Sequence, residues 1–365
     1  MSYIIEKGRR VAFVMSARLG DTLIAMVIVR NLVAHGIQVT VFSHHLSVLK
    51  DWFPRFDIQP ALQAHSLRDS LDGYDTVIHA YAADVVGDVR TWHPRAWVMD
   101  EWPVYRQIKP MLDIQLDVCR KMFGLTELSR ANGIQLPATV DTRVARRRAV
   151  IHPTASALHK QWLPQRFLRL ARQLEAQGYE PCFVVAPTER PGWQWVESCG
   201  YRLVSHASLA DLAGWLVSAG IFVGNDSGIA HLASNVGVPV VSLAMRPRIA
   251  RRWSPGWSPS VTLTPIPLMP GRMLREAFWK HLLPVSRVAT AIERLRKHVA
   301  GTPRAFGPAP QLSHGYARML GRQWANLLAL RPRAAASVST PTLPPQTRAR
   351  GTGVTAGQRT TTIGR

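Results

Sequence analysis

Three short stretches of this chain place reactive side chains where apolar runs give way to small residues: Arg18-Leu19-Gly20-Asp21, His152-Pro153-Thr154 through Lys160-Gln161-Trp162, and Asn225-Asp226-Ser227-Gly228 with His231. The last lies between the apolar runs Ile221–Gly224 and Val238–Leu243, so it reads as a buried strand turning directly into a helix. Such a corner leaves the first N–H groups of the helix unpaired and aimed beyond the sheet edge, which suits a phosphate. Equally, Asp226 or Ser227 need only cap the helix.

Each of the other candidates also has two readings. Asp21 either serves as a general base, with Gly20 allowing close backbone approach, or caps a helix beginning at Thr22. A carboxylate engaged in capping has too low a proton affinity for base work. Lys160 either sets a compact positive charge on a diphosphate or is a solvated lysine beside a core Trp162. Glu189, after an apolar run ending at Ala186, is a sugar-hydroxyl acceptor or a surface glutamate. His231 is a core histidine or a ligand contact. The arginines Arg246, Arg248, Arg251 and Arg252 bind phosphate or an acidic acceptor, or form a solvated basic face. No Asp-x-Asp, His-x-x-x-His or His-Glu-x-x-His pattern occurs, so neither a metal nor another cofactor is expected.

The elements needed to position these loops alternate between strand and helix. Strands are expected at Arg10–Met15, Gln38–Ser43, Thr76–Ala80, Ala149–His152, Cys182–Ala186, Ile221–Gly224 and Val238–Ala244. Helices are expected at Thr22–Ala34, Leu46–Trp52, Met111–Phe123, Pro164–Gln177, Leu209–Ser218, Ile229–Val236 and Ser286–Val299. This alternation predicts an α/β protein of two doubly wound, Rossmann-like halves, with ligands at the carboxyl ends of the strands. The predicted divisions are an acceptor-side domain over 1–135, a linker over 136–148 containing the cluster Arg143, Arg146, Arg147 and Arg148, and a donor-side domain over 149–300. A basic amphipathic helical extension over 301–331, centred on His314–Leu330, and a disordered basic tail over 332–365 follow.

Of the 365 residues, 47% are apolar and 19% charged, which supports a globular chain with more than one core. No segment is long and apolar enough to span a bilayer, and neither a secretory leader nor a disulfide framework is expected from Cys119, Cys182 and Cys199, so a cytoplasmic location is predicted. The formal charge is +22; nine arginines lie beyond residue 300 without any Asp or Glu, so the remainder still carries about +13. Nucleic acid, anionic lipid headgroups and an acidic substrate are all compatible with that charge.

In order and spacing, Leu19-Gly20-Asp21, His152-Pro153, Lys160-Gln161-Trp162-Leu163-Pro164 with Phe167, Ala186-Pro187-Thr188-Glu189, and Asn225-Asp226-Ser227-Gly228 with His231 resemble glycosyltransferase family 9, the ADP-heptose:lipopolysaccharide heptosyltransferase-like enzymes. The resemblance spans about residues 9 to 260. It implies a GT-B fold and metal-independent inverting transfer, with Asp21 as the base that deprotonates the acceptor. It also implies Lys160, Ser227 and Gly228 as diphosphate contacts, Asp226 and His231 as donor-site contacts or supports, and Glu189 as a ribose contact. Arg18, Gly20, Arg246 and Arg248 are then candidates for acceptor or phosphate binding. The expected partners are an ADP-heptose-like nucleotide sugar and an anionic lipid-linked glycan, with the His314–Leu330 helix touching inner-membrane anionic lipids or packing on the fold; nucleic acid is not an expected partner. The chain departs from the family pattern at Ile229, where Pro is usual, and at Ala244-Met245-Arg246-Pro247-Arg248, where a Gly-Thr-type turn is usual. The competing readings are a catalytically silent polyanion-binding protein on the same fold and another sugar-nucleotide enzyme of GT-B shape, such as an epimerase.

Overall fold

A computed structural model describes residues 3–87, 89–143, 145–266 and 272–300. The expected extension at 301–331 and tail at 332–365 lie outside the described residues. Two fully parallel sheets organise the rest. The first contains β1 (Arg10–Val14), β2 (Gln38–Phe42), β3 (Asp57–Gln59), β4 (Thr76–His79) and β5 (Ala96–Val98), in the order β3-β2-β1-β4-β5. The second contains β6 (Ala145–His152), β7 (Glu180–Val184), β8 (Arg202–Val204), β9 (Ala219–Asn225), β10 (Val240–Leu243) and β11 (Ser260–Leu263), in the order β11-β10-β9-β6-β7-β8. In both sheets the order reverses beside the central strand, which opens a crevice at the strands' carboxyl ends.

The central strands are apolar because helices cover both faces of a parallel sheet. Val11, Ala12 and Phe13 are fully buried, as are Phe222 and Val223 of β9. The helix Leu19–Ala34 was expected to have one apolar side, but it is buried almost all round. It packs against the helix Met111–Lys121 of its own lobe and against Gly228–Asn235 of the other lobe. Gly36 and Gly178 close the helices before them with φ of 80° and 82°, a backbone region that glycine enters without penalty.

The expected linker is shortened by strand formation. β6 begins at Ala145, so Arg146, Arg147 and Arg148 lie within a strand, next to an irregularity in the β6–β9 register between Ala145 and Ala149. Two of the guanidinium groups find acceptors on neighbouring segments: Arg147 Nε donates to Gly178 O (2.8 Å), and Arg148 Nη1 to Ser218 Oγ (2.6 Å). Charged side chains hid a strand whose backbone pairing is set by the sheet.

The two lobes are joined by buried polar contacts as well as packing. Asn132 Nδ2 donates to Leu23 O (3.1 Å) and to Asn235 Oδ1 (2.6 Å), linking the first helix to the helix after β9. Trp257 Nε1 donates to Arg130 O (3.1 Å). Cys119 and Cys182 are buried free thiols, as expected, whereas Cys199 is exposed.

Candidate active site

On the first lobe, the turn after β1 is braced internally. Ser16 Oγ accepts from the Arg18 N–H (3.1 Å), and Thr22 Oγ1 donates to Ser16 O (2.9 Å). This lets the helix start at Leu19, three residues before the expected Thr22, with Arg18 at the N-cap position making no side-chain cap. Asp21 is therefore inside the first turn and is not the N-cap, which removes the capping reading. It is 8% exposed, and Arg18 Nη1 stands 3.7 Å from its Oδ2. Burial is the main influence on its carboxyl group; Arg18 opposes it, Asp84 and Asp226 reinforce it, and the group rises to about 6. At neutral pH it is a carboxylate with an unusually high proton affinity.

On the second lobe, the strand end at Asn225 organises the adjoining loop. Asn225 is fully buried: its Oδ1 accepts from the Trp162 N–H (2.9 Å), and its Nδ2 donates to Pro153 O (2.7 Å). Trp162 is anchored in turn by Nε1 contacts to Lys280 O (3.1 Å) and Leu283 O (3.2 Å) and by an edge-on contact with Phe167. Lys160 sits two residues before this anchor, close enough to Asp226 to oppose the rise that burial imposes on that carboxyl group, which reaches about 6.

Ser227 is the N-cap residue of Gly228–Asn235, yet its hydroxyl makes no cap, and its Oγ is buried without a protein partner. The helix N-terminus and the free hydroxyl thus meet the requirements of an anion site. His231 is 4% exposed; burial lowers it to about 4, so its ring is neutral, and it contacts Trp257 edge-on.

The two corners meet. A Cβ on Gly228 would lie 2.8 Å from Leu19 Cβ and 3.0 Å from Gly20 N, and a Cβ on Gly20 would lie 3.0 Å from His231 Cδ2. At Gly228 only hydrogen fits, and at Gly20 a methyl group would crowd the His231 ring, so two helix N-termini, one from each lobe, abut at Gly20 and Gly228. The Asp226 charge adds to the rise of Asp21 across this contact, and Lys160 acts on Asp226. Seven of the expected residues, Arg18, Gly20, Asp21, Lys160, Asp226, Ser227 and Gly228, share this neighbourhood, with His231 packed behind it.

The remaining candidates stand apart from that centre. Glu189 Oε2 accepts from the Ala186 N–H (3.0 Å) and from Thr154 Oγ1 (3.0 Å), so it braces the turn after β7 against the loop after β6. Arg246 pairs with Glu276 (3.1 Å), and Arg248 is exposed on the helix Pro247–Trp253. Arg252 is a lobe-bridging donor to Gln107 O (3.0 Å) and Tyr105 O (2.6 Å), which gives it a structural task.

Two residues were missed beside Asp21. Tyr81 and Asp84 lie in the turn after β4, and both act electrostatically on or with Asp21. Ala82 N–H donates to Asp100 Oδ1 (2.9 Å), fixing that turn, while Asp84 Oδ2 is buried without a partner. Their position after a central strand was the available signal. Among the described residues, no group of three or more His, Cys, Asp or Glu side chains is arranged to hold a metal ion.

Residues 88–263 match the family model described as glycosyltransferase family 9 (heptosyltransferase). No curated protein matches the chain in sequence. Among solved structures, the chain is similar to the glycosyl transferase family 9 protein from Veillonella parvula DSM 2008, at a TM-score of 0.62 and 16% identity over 81% of this chain and 99% of that one. It is also similar to E. coli ADP-heptose lps heptosyltransferase II, at a TM-score of 0.60 and 15% identity over 80% of this chain and 100% of that one. E. coli heptosyltransferase WaaC, solved with ADP, gives a TM-score of 0.58 and 16% identity over 78% of this chain and 99% of that one. The paired parallel sheets have the GT-B architecture of these structures. The family match covers the loops around β6 and β9, so residues 88–263 carry a glycosyltransferase family 9 (heptosyltransferase) domain, and the chain is a glycosyltransferase.

Proposed function

We propose that the protein transfers a sugar with inversion, by the family a heptose from an ADP-heptose-like donor, onto an anionic lipid-linked glycan. The observation that carries this reading is the contact of two helix N-termini at Gly20 and Gly228, with Asp21 on one side and the Asp226–Lys160 pair on the other. In the proposed step Asp21 takes the proton of the acceptor hydroxyl, whose oxygen forms the new bond to the anomeric carbon. The bond to the diphosphate oxygen breaks, and the electron pair leaves with the nucleoside diphosphate.

Lys160, the Ser227 hydroxyl and the Gly228 helix terminus are assigned to the departing negative charge, so that charge compensation comes from this chain's own groups. His231, neutral and packed against Gly20, supports the donor corner. Glu189 is assigned to a ribose hydroxyl through Oε1, since its Oε2 is taken by Ala186 and Thr154. The anionic character of the acceptor is supported by the net charge of +22 and by exposed Arg18 and Arg248.

The test is Asp21→Asn, assayed for transfer from ADP-heptose to a lipopolysaccharide-core acceptor and, separately, for donor binding by calorimetry. Loss of the base predicts turnover lower by about 10²- to 10⁴-fold with donor affinity unchanged. Lys160→Ala predicts weaker donor binding. Full turnover by the Asp21→Asn enzyme would falsify the base assignment.

A further inference from the structure

The helix Arg272–Leu282 presents its apolar residues to solvent. At about 100° per residue, Met273, Leu274, Ala277, Phe278 and His281 fall on one stripe. All five are exposed, Met273 at 82%, Leu274 at 49% and Phe278 at 44%. The opposite side holds Trp279, which is fully buried and donates Nε1 to His159 O (2.8 Å). The helix is therefore anchored to the body through its tryptophan, and the outward stripe is not a consequence of loose packing.

Further apolar and basic groups adjoin the stripe. Lys280 Nζ donates to Leu158 O (2.8 Å), which holds Leu158, itself 78% exposed, beside this helix. The ion pair of Arg246 with Glu276 brings the helix Pro247–Trp253 alongside, with Arg248 and Arg251 exposed on it. Contiguous apolar surface rimmed by cations is the signature of an interaction face, and an exposed helix of this composition suits a bilayer interface.

The charge chooses among occupants. A second copy would place one cationic rim against another. Residues 301–365 of this chain contain nine arginines and no Asp or Glu, so folding them onto the face would do the same. An anionic lipid surface complements both the apolar stripe and its rim. We propose that this face docks on an anionic bilayer, with Met273, Leu274, Phe278 and Leu158 entering the acyl boundary and Arg248, Arg251 and Lys280 meeting headgroups. Lys160 is two residues from Leu158, so docking sets the bilayer beside the donor-side loop. The docking itself does not depend on which sugar is transferred.

The experiment compares the full-length protein with its Met273→Ser/Leu274→Ser/Phe278→Ser variant by co-sedimentation with phosphatidylcholine vesicles, with and without phosphatidylglycerol. The expected result is binding of the parent only to the anionic vesicles, and partitioning about tenfold weaker or more for the variant, with its melting temperature unchanged because the three side chains are solvent-facing. The difference should persist at about 0.5 M salt, where attraction of other basic segments is screened. Equal binding by parent and variant overturns the proposal and assigns binding to another surface. So does a parent that ignores anionic vesicles, whether it is monomeric or forms a dimer that the variant loses. Donor binding measured on the same samples separates failure of the docking proposal from failure of the transferase reading.

Discussion

The turns after β1 and β9 are built from the same parts and finished differently. Each is a buried parallel strand entering a helix whose N-cap side chain makes no cap, and each has a glycine in the first turn where the partner lobe approaches. On the first lobe the acidic residue, Asp21, lies within the helix, and the turn is held by its own residues Ser16 and Thr22. On the second lobe Asp226 precedes the helix, and the turn is held from outside, through Asn225 and the loop ending at Trp162. A locally braced turn can keep one carboxylate fixed while its surroundings change. A turn braced by a distant loop ties the anion site to the position of Lys160.

The comparison can be broken most severely with acid. Burial lowers His152 and His231, both on the second lobe, and His79, at the end of β4, to about 4. A depressed histidine contributes stability that is present above its unfolded value near 6.5 and is lost as pH falls toward 4; each is worth on the order of a few kcal/mol across that window. Asp21 and Asp226 act in the opposite sense, because carboxyl groups raised to about 6 stabilise the fold as pH falls from 6 toward 4. With His152 and His231 against His79, His206 against His45 among the other histidines that burial lowers, and one aspartate on each side, the second lobe is expected to lose its hydrogen-exchange protection first between pH 6.5 and 4. Simultaneous loss in both lobes would remove the asymmetry.

Asn225→Ala tests the external brace. It strands the Trp162 N–H and Pro153 C=O without their side-chain partner, and a cost of about 2–3 kcal/mol is expected in denaturant melts, with donor affinity falling while Asp21 keeps its titration. An unchanged donor affinity would show that the loop after β6 holds itself.

The glycine contact gives the smallest and most selective effects. Gly228→Ala drives a methyl group toward the backbone at Gly20, so about 1–3 kcal/mol of destabilisation is expected, together with lost transfer. Gly20→Ala meets only the edge of the His231 ring, and a cost of about 1 kcal/mol or less is expected in the same melts. The reverse order would place the closest approach elsewhere.

Much of this arrangement was legible in the chain. Long apolar runs marked β1, β4, β6 and β9 because strands covered on both faces need them, and Gly36 and Gly178 marked helix ends because only a left-handed residue fits there. The short strands β3, β5, β8 and β11 were not placed, since three or four residues carry too little pattern and are specified by their neighbours in the sheet. The same reason hid the arginine-rich start of β6. Among the candidate residues, Asp21 and Ser227 were singled out by their place after strands, but whether either caps its helix depended on where the helix began. The tasks of Asn225 and Arg252 had no local signature: their partners lie 63 and 147 residues away in the chain.

Because Gly20 and Gly228 touch without side chains, the pair can act as a fulcrum. Any tilt of one lobe over the other about that point would carry groups at the outer lip of the crevice through the largest arc and those beside the pivot through the smallest. The spacing between Asp21 and the Ser227–Gly228 corner is thus the part of the crevice least sensitive to such a tilt.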